Sequence, residues 1–211
     1  MRGRIKRIVA AATLLVALAT SGGCLAQAPA AEHSLCWEAT YGNIGALGDL
    51  LSRGADPNAL DSSGNTPLTC LVTQVGVLAD ANAAGQLRAM QYLLEHGAKV
   101  DGSDANAGET PLMVAAVHGG DPDQTAGQVA VVKLLLDKGA NVNAVTEGQH
   151  LTALHWAAYR GYLDTIRLLL ARGANRSARN DYGKTPLEMM RQNHNLDPKR
   201  AKEVETILAE E

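Results

Sequence analysis

The residues best suited to chemistry in this chain are six histidines, three cysteines and one close pair of carboxylates. The histidines are His33, His96, His118, His150, His155 and His194, and the cysteines are Cys24, Cys36 and Cys70. No Gly-x-Ser-x-Gly, phosphate loop, His-Glu-x-x-His or Asp-x-Asp-x-Asp-Gly pattern is present to organise them. Asp121-Pro122-Asp123 offers two carboxylates, too few for the six to eight oxygens that calcium takes. Cys36 and Cys70 have no further Cys or His at ligand spacing, so no zinc site is expected. These observations predict no catalytic set, no cofactor and no metal.

What the chain does carry is a repeat. Thr66-Pro67-Leu68, Thr110-Pro111-Leu112, Thr152-Ala153-Leu154 and Thr185-Pro186-Leu187 are copies of one motif. Leu-Leu-x-x-Gly-Ala recurs at Leu50–Ala55, Leu93–Ala98, Leu135–Ala140 and Leu169–Ala174. Self-similarity at such a period means a stack of one supersecondary unit. In the clearest copy, Thr152 is placed to cap a helix with its hydroxyl, and Leu154, Ala157 and Ala158 form an apolar face at i, i+3, i+4. Proline follows the threonine in three other copies, at the first helical turn where a missing N–H costs nothing. Gly161 stops the first helix; a second carries Ile166, Leu169 and Leu170 and stops at Gly173.

The motif Thr-Pro-Leu-His-x-Ala-Ala, a glycine, then Leu-Leu-x-x-Gly-Ala resembles the ankyrin repeat over roughly residues 32–211. The resemblance implies an all-α solenoid of about five stacked helix-turn-helix units with short β-turn or hairpin fingers. The units are 32–60, 61–103, 104–144, 145–177 and 178–211. Unit 1 has Leu35-Cys36-Trp37-Glu38-Ala39 in place of the usual helix start. Glu38 in unit 1, and Met190-Arg191 in unit 5, stand where inner units have Ala or Leu, as water-facing caps should. Gly45 and Gly48 weaken the second helix of unit 1 by about 1 kcal/mol each relative to Ala.

Ahead of the repeats, Arg2, Arg4, Lys6 and Arg7 precede an apolar run of 12 residues, Ile8 to Ala19. That is the plan of a secretory signal, and the run is too short to span a bilayer. Two cleavage sites stay open. Ser21-Gly22-Gly23-Cys24 resembles a bacterial lipobox that would lipidate Cys24, although Ser21 stands where Leu is preferred. Ala26-Gln27-Ala28 offers simple cleavage after residue 28. The expected organisation is a signal peptide over 1–23, a tether over 24–31 and the repeat body over 32–211. The body is then exported to the periplasm, either soluble or lipid-anchored. Without the four leader cations, 15 cations face 22 anions, a balance of −7. An acidic body argues against nucleic-acid binding.

By the resemblance, His155 is the family's turn-bonding histidine. His118 falls instead in a column with Tyr41, Gln74, Arg160 and Asn193, just before each first helix ends. Tyr41, Gln74, His118, Tyr159 and Arg160 are therefore the candidate partner-binding residues of the concave face, and Tyr182 and Lys184 those of a finger tip. Trp37, Cys70, Val114, Trp156 and Met189 form an apolar column read as packing. Cys36 and Cys70 are read as reduced thiols, because packed helices stand 8–10 Å apart and a disulfide needs Cα atoms within about 7 Å. Leu68 to Gly97 and Leu112 to Gly139 are longer than Leu154 to Gly173, with extra residues near Gly76–Gly85 and Gly119–Gln128 read as loops.

The expected function is a non-enzymatic protein-binding module in the bacterial envelope, a monomer supporting an exported enzyme. The alternative is an immunity protein that blocks a toxin acting in the periplasm; the identity of neighbouring genes would separate the two. A third reading, an enzyme with a site in the two insertions, has only Asp80, Asp121 and Asp123 to build on.

Overall fold

The computed structural model describes residues 34–74, 83–118 and 126–209. They form ten helices and, among the described residues, no strand. The helices are α1 Leu35–Thr40, α2 Ile44–Ser52, α3 Pro67–Gln74, α4 Ala83–Glu95, α5 Pro111–Val117, α6 Ala126–Asp137, α7 Ala153–Arg160, α8 Leu163–Ala171, α9 Pro186–Met190 and α10 Pro198–Ala209. The odd-numbered helices pack in one layer in chain order and the even-numbered ones in a second. The leader over 1–23, the tether with Cys24, His33 and insertion residues 75–82 and 119–125 lie outside the described residues.

Local chemistry starts each unit. The hydroxyls of Ser34, Thr66, Thr110, Thr152 and Thr185 each accept a backbone N–H three residues on. Pro111 and Pro186 occupy the first turn of their helices, where the absent N–H would have been unpaired. Gly161 ends α7 in the left-handed region at φ 72°, and a Cβ there would stand 2.7 Å from Leu196 Cδ1. Glycine is therefore needed for both conformation and space.

The core is the seam between the layers. Leu68, Leu71, Leu93, Leu112, Leu135, Leu154, Ala157, Ala158, Ile166 and Leu169 are almost wholly buried. Every residue of α5 is buried, because that short helix has a neighbour on both sides as well as α6 behind it. Gln128 is also buried, and its Nε2 donates to the Ala115 carbonyl at 2.7 Å, tying α6 to α5.

Several expectations change. The extra residues of units 2 and 3 are partly helix: α4 has 13 residues and α6 12, against 9 in α8. Residues 83–85 and 126–128 form their first turns, since an Ala-rich stretch can extend a helix as readily as form a loop. Glu38 is buried rather than water-facing. The short link to α2 turns Asn43 back over α1, and Asn43 Nδ2 donates to Glu38 Oε2 at 2.9 Å. Gly48 has a packing cause, because a Cβ there would meet the Tyr92 hydroxyl at 2.9 Å. At the other end, Met190 is buried, and exposed Arg191 pairs with Glu205 at 2.8 Å.

Candidate functional site

The fingers are turns closed on themselves and bonded to one another. Asp61, Asp104, Thr146 and Asn180 each donate a backbone N–H to the carbonyl that closes their turn, on Asn65, Glu109, Leu151 and Lys184. Three further N–H groups cross between units: Ala105 to the Gly64 carbonyl, Glu147 to Ala107 and Asp181 to Gln149. Side chains brace the turns, with Asp61 Oδ1 accepting from the amides of Ser63 and Asn65, and Asn180 Oδ1 from those of Tyr182 and Lys184. Asn58 and Asn143 clamp the loops that lead from the second helices into the fingers: Asn58 bonds Gly97 and Lys99, and Asn143 bonds Gly173 and Asn175. These bonds fix the spacing of whatever the fingers present.

His155 belongs to that scaffold. Its Nδ1 accepts the Thr152 amide at 3.2 Å, and its Nε2 lies 3.1 Å from the Lys184 carbonyl in the next unit. An amide N–H can only donate and a carbonyl can only accept, so the ring is neutral with the proton on Nε2. Burial holds its pKa below the ordinary histidine value, partly opposed by the Lys184 carbonyl.

The predicted partner-binding residues differ in exposure and place. Tyr41 is 53% exposed and its ring lies 5.0 Å from that of Trp37, itself 50% exposed. The packing reading of the Trp37 column therefore holds for buried Cys70 and Val114 but not at the end of the stack. His118 and Arg160 are exposed and close enough to interact. Partial burial, then the Arg160 charge, lowers the His118 pKa. Tyr159 is half-buried, and its carbonyl accepts from Asn193 Nδ2 at 2.7 Å. Gln74 ends α3, and its side chain is outside the described residues.

Tyr182 is 72% exposed at a finger tip. Lys184 does not share that tip. It sits at the finger's base, its amide held by Asn180 and its carbonyl reached by His155.

A cavity of about 300 Å³ lies between the fingers of units 3 and 4, lined by Glu109, Thr146, Glu147, Gln149 and Trp156 among others. The Trp156 indole N–H is buried and lacks a hydrogen-bond partner among the described residues. Burial and the nearby Asp104 charge raise the Glu109 pKa. Nothing in the motif spacing marked this cavity, because its acidic lining comes from the variable turn residues of two units.

Both cysteines of the body are free and buried. Their sulfurs and the Asp61 carboxylate lie within 4.8 Å of one another. Ligand spacing along the chain missed this cluster, because its members come from two helices and a finger.

Comparison with known proteins accounts for the architecture. A family model described as ankyrin repeats (3 copies) matches twice, over residues 35–146 and 124–197. Similar proteins include a putative palmitoyltransferase, ZDHHC13, of Danio rerio, 31% identical over 160 residues, or 76% of this chain and 22% of that protein. A probable E3 ubiquitin-protein ligase, XBOS34, of Oryza sativa subsp. japonica is 38% identical over 118 residues, 56% of this chain and 21% of that protein. The B-cell lymphoma 3 protein homolog of Mus musculus is 29% identical over 180 residues, 72% of this chain and 38% of that protein. The chain spans about a fifth of the length of the first two. The chain belongs to the ankyrin-repeat family.

Proposed function

We propose that this protein is a non-enzymatic docking module of the bacterial envelope, which supports an exported enzyme by binding a folded surface of it. Ankyrin repeats generally mediate binding to another protein. The observation that carries the finer reading is the row of side chains at the ends of the first helices. Tyr41, His118 and Arg160 are exposed at equivalent places while the core is built from other positions. Tyrosine and arginine are the residue types that concentrate binding energy at interfaces. Their variation from unit to unit suits one particular partner.

The finger cavity adds chemistry to that surface. Glu109 and Glu147 at its wall, with the unpaired Trp156 indole beneath, suit a Lys or Arg side chain of the partner. A cation there would offset the unfavourable charge on half-buried Glu109 and stack on the indole.

Export is supported by the basic head and short apolar run of residues 2–19. Among the described residues no helix is long and apolar enough to cross a membrane. Fractionation tests the location: the body is expected in the envelope, and the chain retained in cytosol with Met1 intact contradicts it.

Photo-crosslinkers placed at 41, 118, 160 and 182 are expected to capture the partner in envelope extract. Crosslinkers at Lys133 and Arg167, exposed on the second helices, are expected to stay silent. Capture from the second helices alone overturns the reading.

A further inference from the structure

Cys36, Cys70 and Asp61 meet where unit 1 joins unit 2. The Cys70 thiol donates to Asp61 Oδ2 at 3.4 Å, and the Cys36 thiol to the Asn65 carbonyl at 3.5 Å. The two sulfurs and a carboxylate oxygen all lie within 4.8 Å of one another, with both cysteines buried and Asp61 half-buried. We propose that these three side chains bind a thiophilic divalent cation, zinc, which clamps the first repeat to the second.

The ligand set fits that ion. Two soft thiolates beside one carboxylate suit zinc, a borderline-soft ion, and the thiolates disfavour magnesium or calcium. Three protein ligands leave the fourth tetrahedral position to a solvent oxygen. The carboxylate is already oriented. Asp61 Oδ1 accepts from the backbone amides of Ser63 at 2.8 Å and Asn65 at 2.9 Å, which leaves Oδ2 directed at the Cys70 thiol. Such bonds to a ligand's second atom are how proteins pre-orient metal donors.

On binding, the two S–H protons are released to solvent and the metal takes both sulfurs, so affinity rises with pH.

The other units show what these positions hold when only packing is required. Val114, Trp156 and Met189 stand at the place of Cys70. Counted back from the helix-ending glycine, Cys36 holds the place of His155. Like His155, it reaches the carbonyl just before the next unit's threonine. Asn180 stands at the place of Asp61 and braces its turn through the same oxygen. Only the first junction brings two sulfurs and a carboxylate together among the described residues. It is also the junction that ties in the glycine-weakened second helix of unit 1.

These equivalents supply variants that keep the fold: Cys70→Val, Cys36→Thr (as Thr69 in unit 2) and Asp61→Asn. The reduced, metal-free full chain is titrated with cobalt(II), then with zinc(II). One cobalt per chain is expected, with a thiolate-to-cobalt charge-transfer band that zinc displaces. Zinc is expected to raise the thermal midpoint of the wild type and of neither cysteine variant. Cys70→Val and Cys36→Thr should abolish the band, and Asp61→Asn should weaken affinity at least tenfold, with circular dichroism confirming the fold of each. The proposal is overturned if the wild type shows no band, or if the variants bind as tightly as the wild type. A Cys36–Cys70 disulfide without zinc, in protein isolated from its native compartment, overturns it as well.

Discussion

Replacing His155 with Ala removes a side chain that joins the start of one first helix to the finger of the next unit through both ring nitrogens. The ring accepts the Thr152 amide at 3.2 Å, contacts the Thr152 hydroxyl at 2.9 Å and reaches the Lys184 carbonyl at 3.1 Å. Each such bond contributes about 1 kcal/mol net, and a buried group left unpaired costs about 1–3 kcal/mol. The imidazole is fully buried, so truncation also leaves a void. The expected loss is about 3 kcal/mol, measured as a lowered urea midpoint with unchanged slope. Acid should act on the same site. Because burial lowers the folded pKa, the unfolded chain takes up the proton first as pH falls. This stability is fully present above the unfolded histidine value of about 6.5 and is lost progressively below it. The wild type should therefore lose more stability than His155→Ala between about pH 7 and pH 5. A loss under about 1 kcal/mol, or parallel pH profiles for the two proteins, would refute the assignment of a neutral, doubly bonded ring.

Leu154→Ala or Leu169→Ala, each emptying a fully buried site, should cost about 2–5 kcal/mol. Hydrogen exchange should localise the damage to units 3 to 5 and spare unit 1, since each unit touches only its neighbours. Gly161→Ala should lower the thermal midpoint, because a Cβ at φ 72° would press on Leu196 and Arg200 at 2.7 and 2.8 Å. Glu109→Gln should raise that midpoint at neutral pH while weakening partner capture. Its raised carboxyl pKa means that ionised Glu109 opposes folding as pH rises through its titration, and the amide removes that charge.

Helix number, caps and core were legible in the sequence because the repeat states each of them several times over. Thr152, Leu154, Ala157, Ala158 and Gly161 do what their spacing requires. What stayed hidden depends on contacts between units, which a one-dimensional pattern does not display. The backbone bonds from Ala105 to Gly64 and from Glu147 to Ala107 use no particular side chain. The Asn58 and Asn143 clamps read as ordinary turn residues. Cys36, Asp61 and Cys70 are far apart or irregularly spaced along the chain and meet only once α1 packs on α3. The polarity of Glu38 pointed to a water-facing cap, yet it is buried and accepts a hydrogen bond from Asn43. The Ala- and Gly-rich insertions gave no apolar period by which to separate the first turns of α4 and α6 from the loops before them.

The binding surface is tested most directly by the affinity of the captured partner for Tyr159→Ala with Arg160→Ala, compared with wild type. Arg160 is exposed and Tyr159 half-buried, and neither belongs to the buried core of α7. At least a tenfold loss is expected, about 1.4 kcal/mol, with little change in thermal midpoint. Undiminished affinity in this variant, with binding lost only when the segments around 76–85 and 119–128 are shortened, would move the site to the insertions.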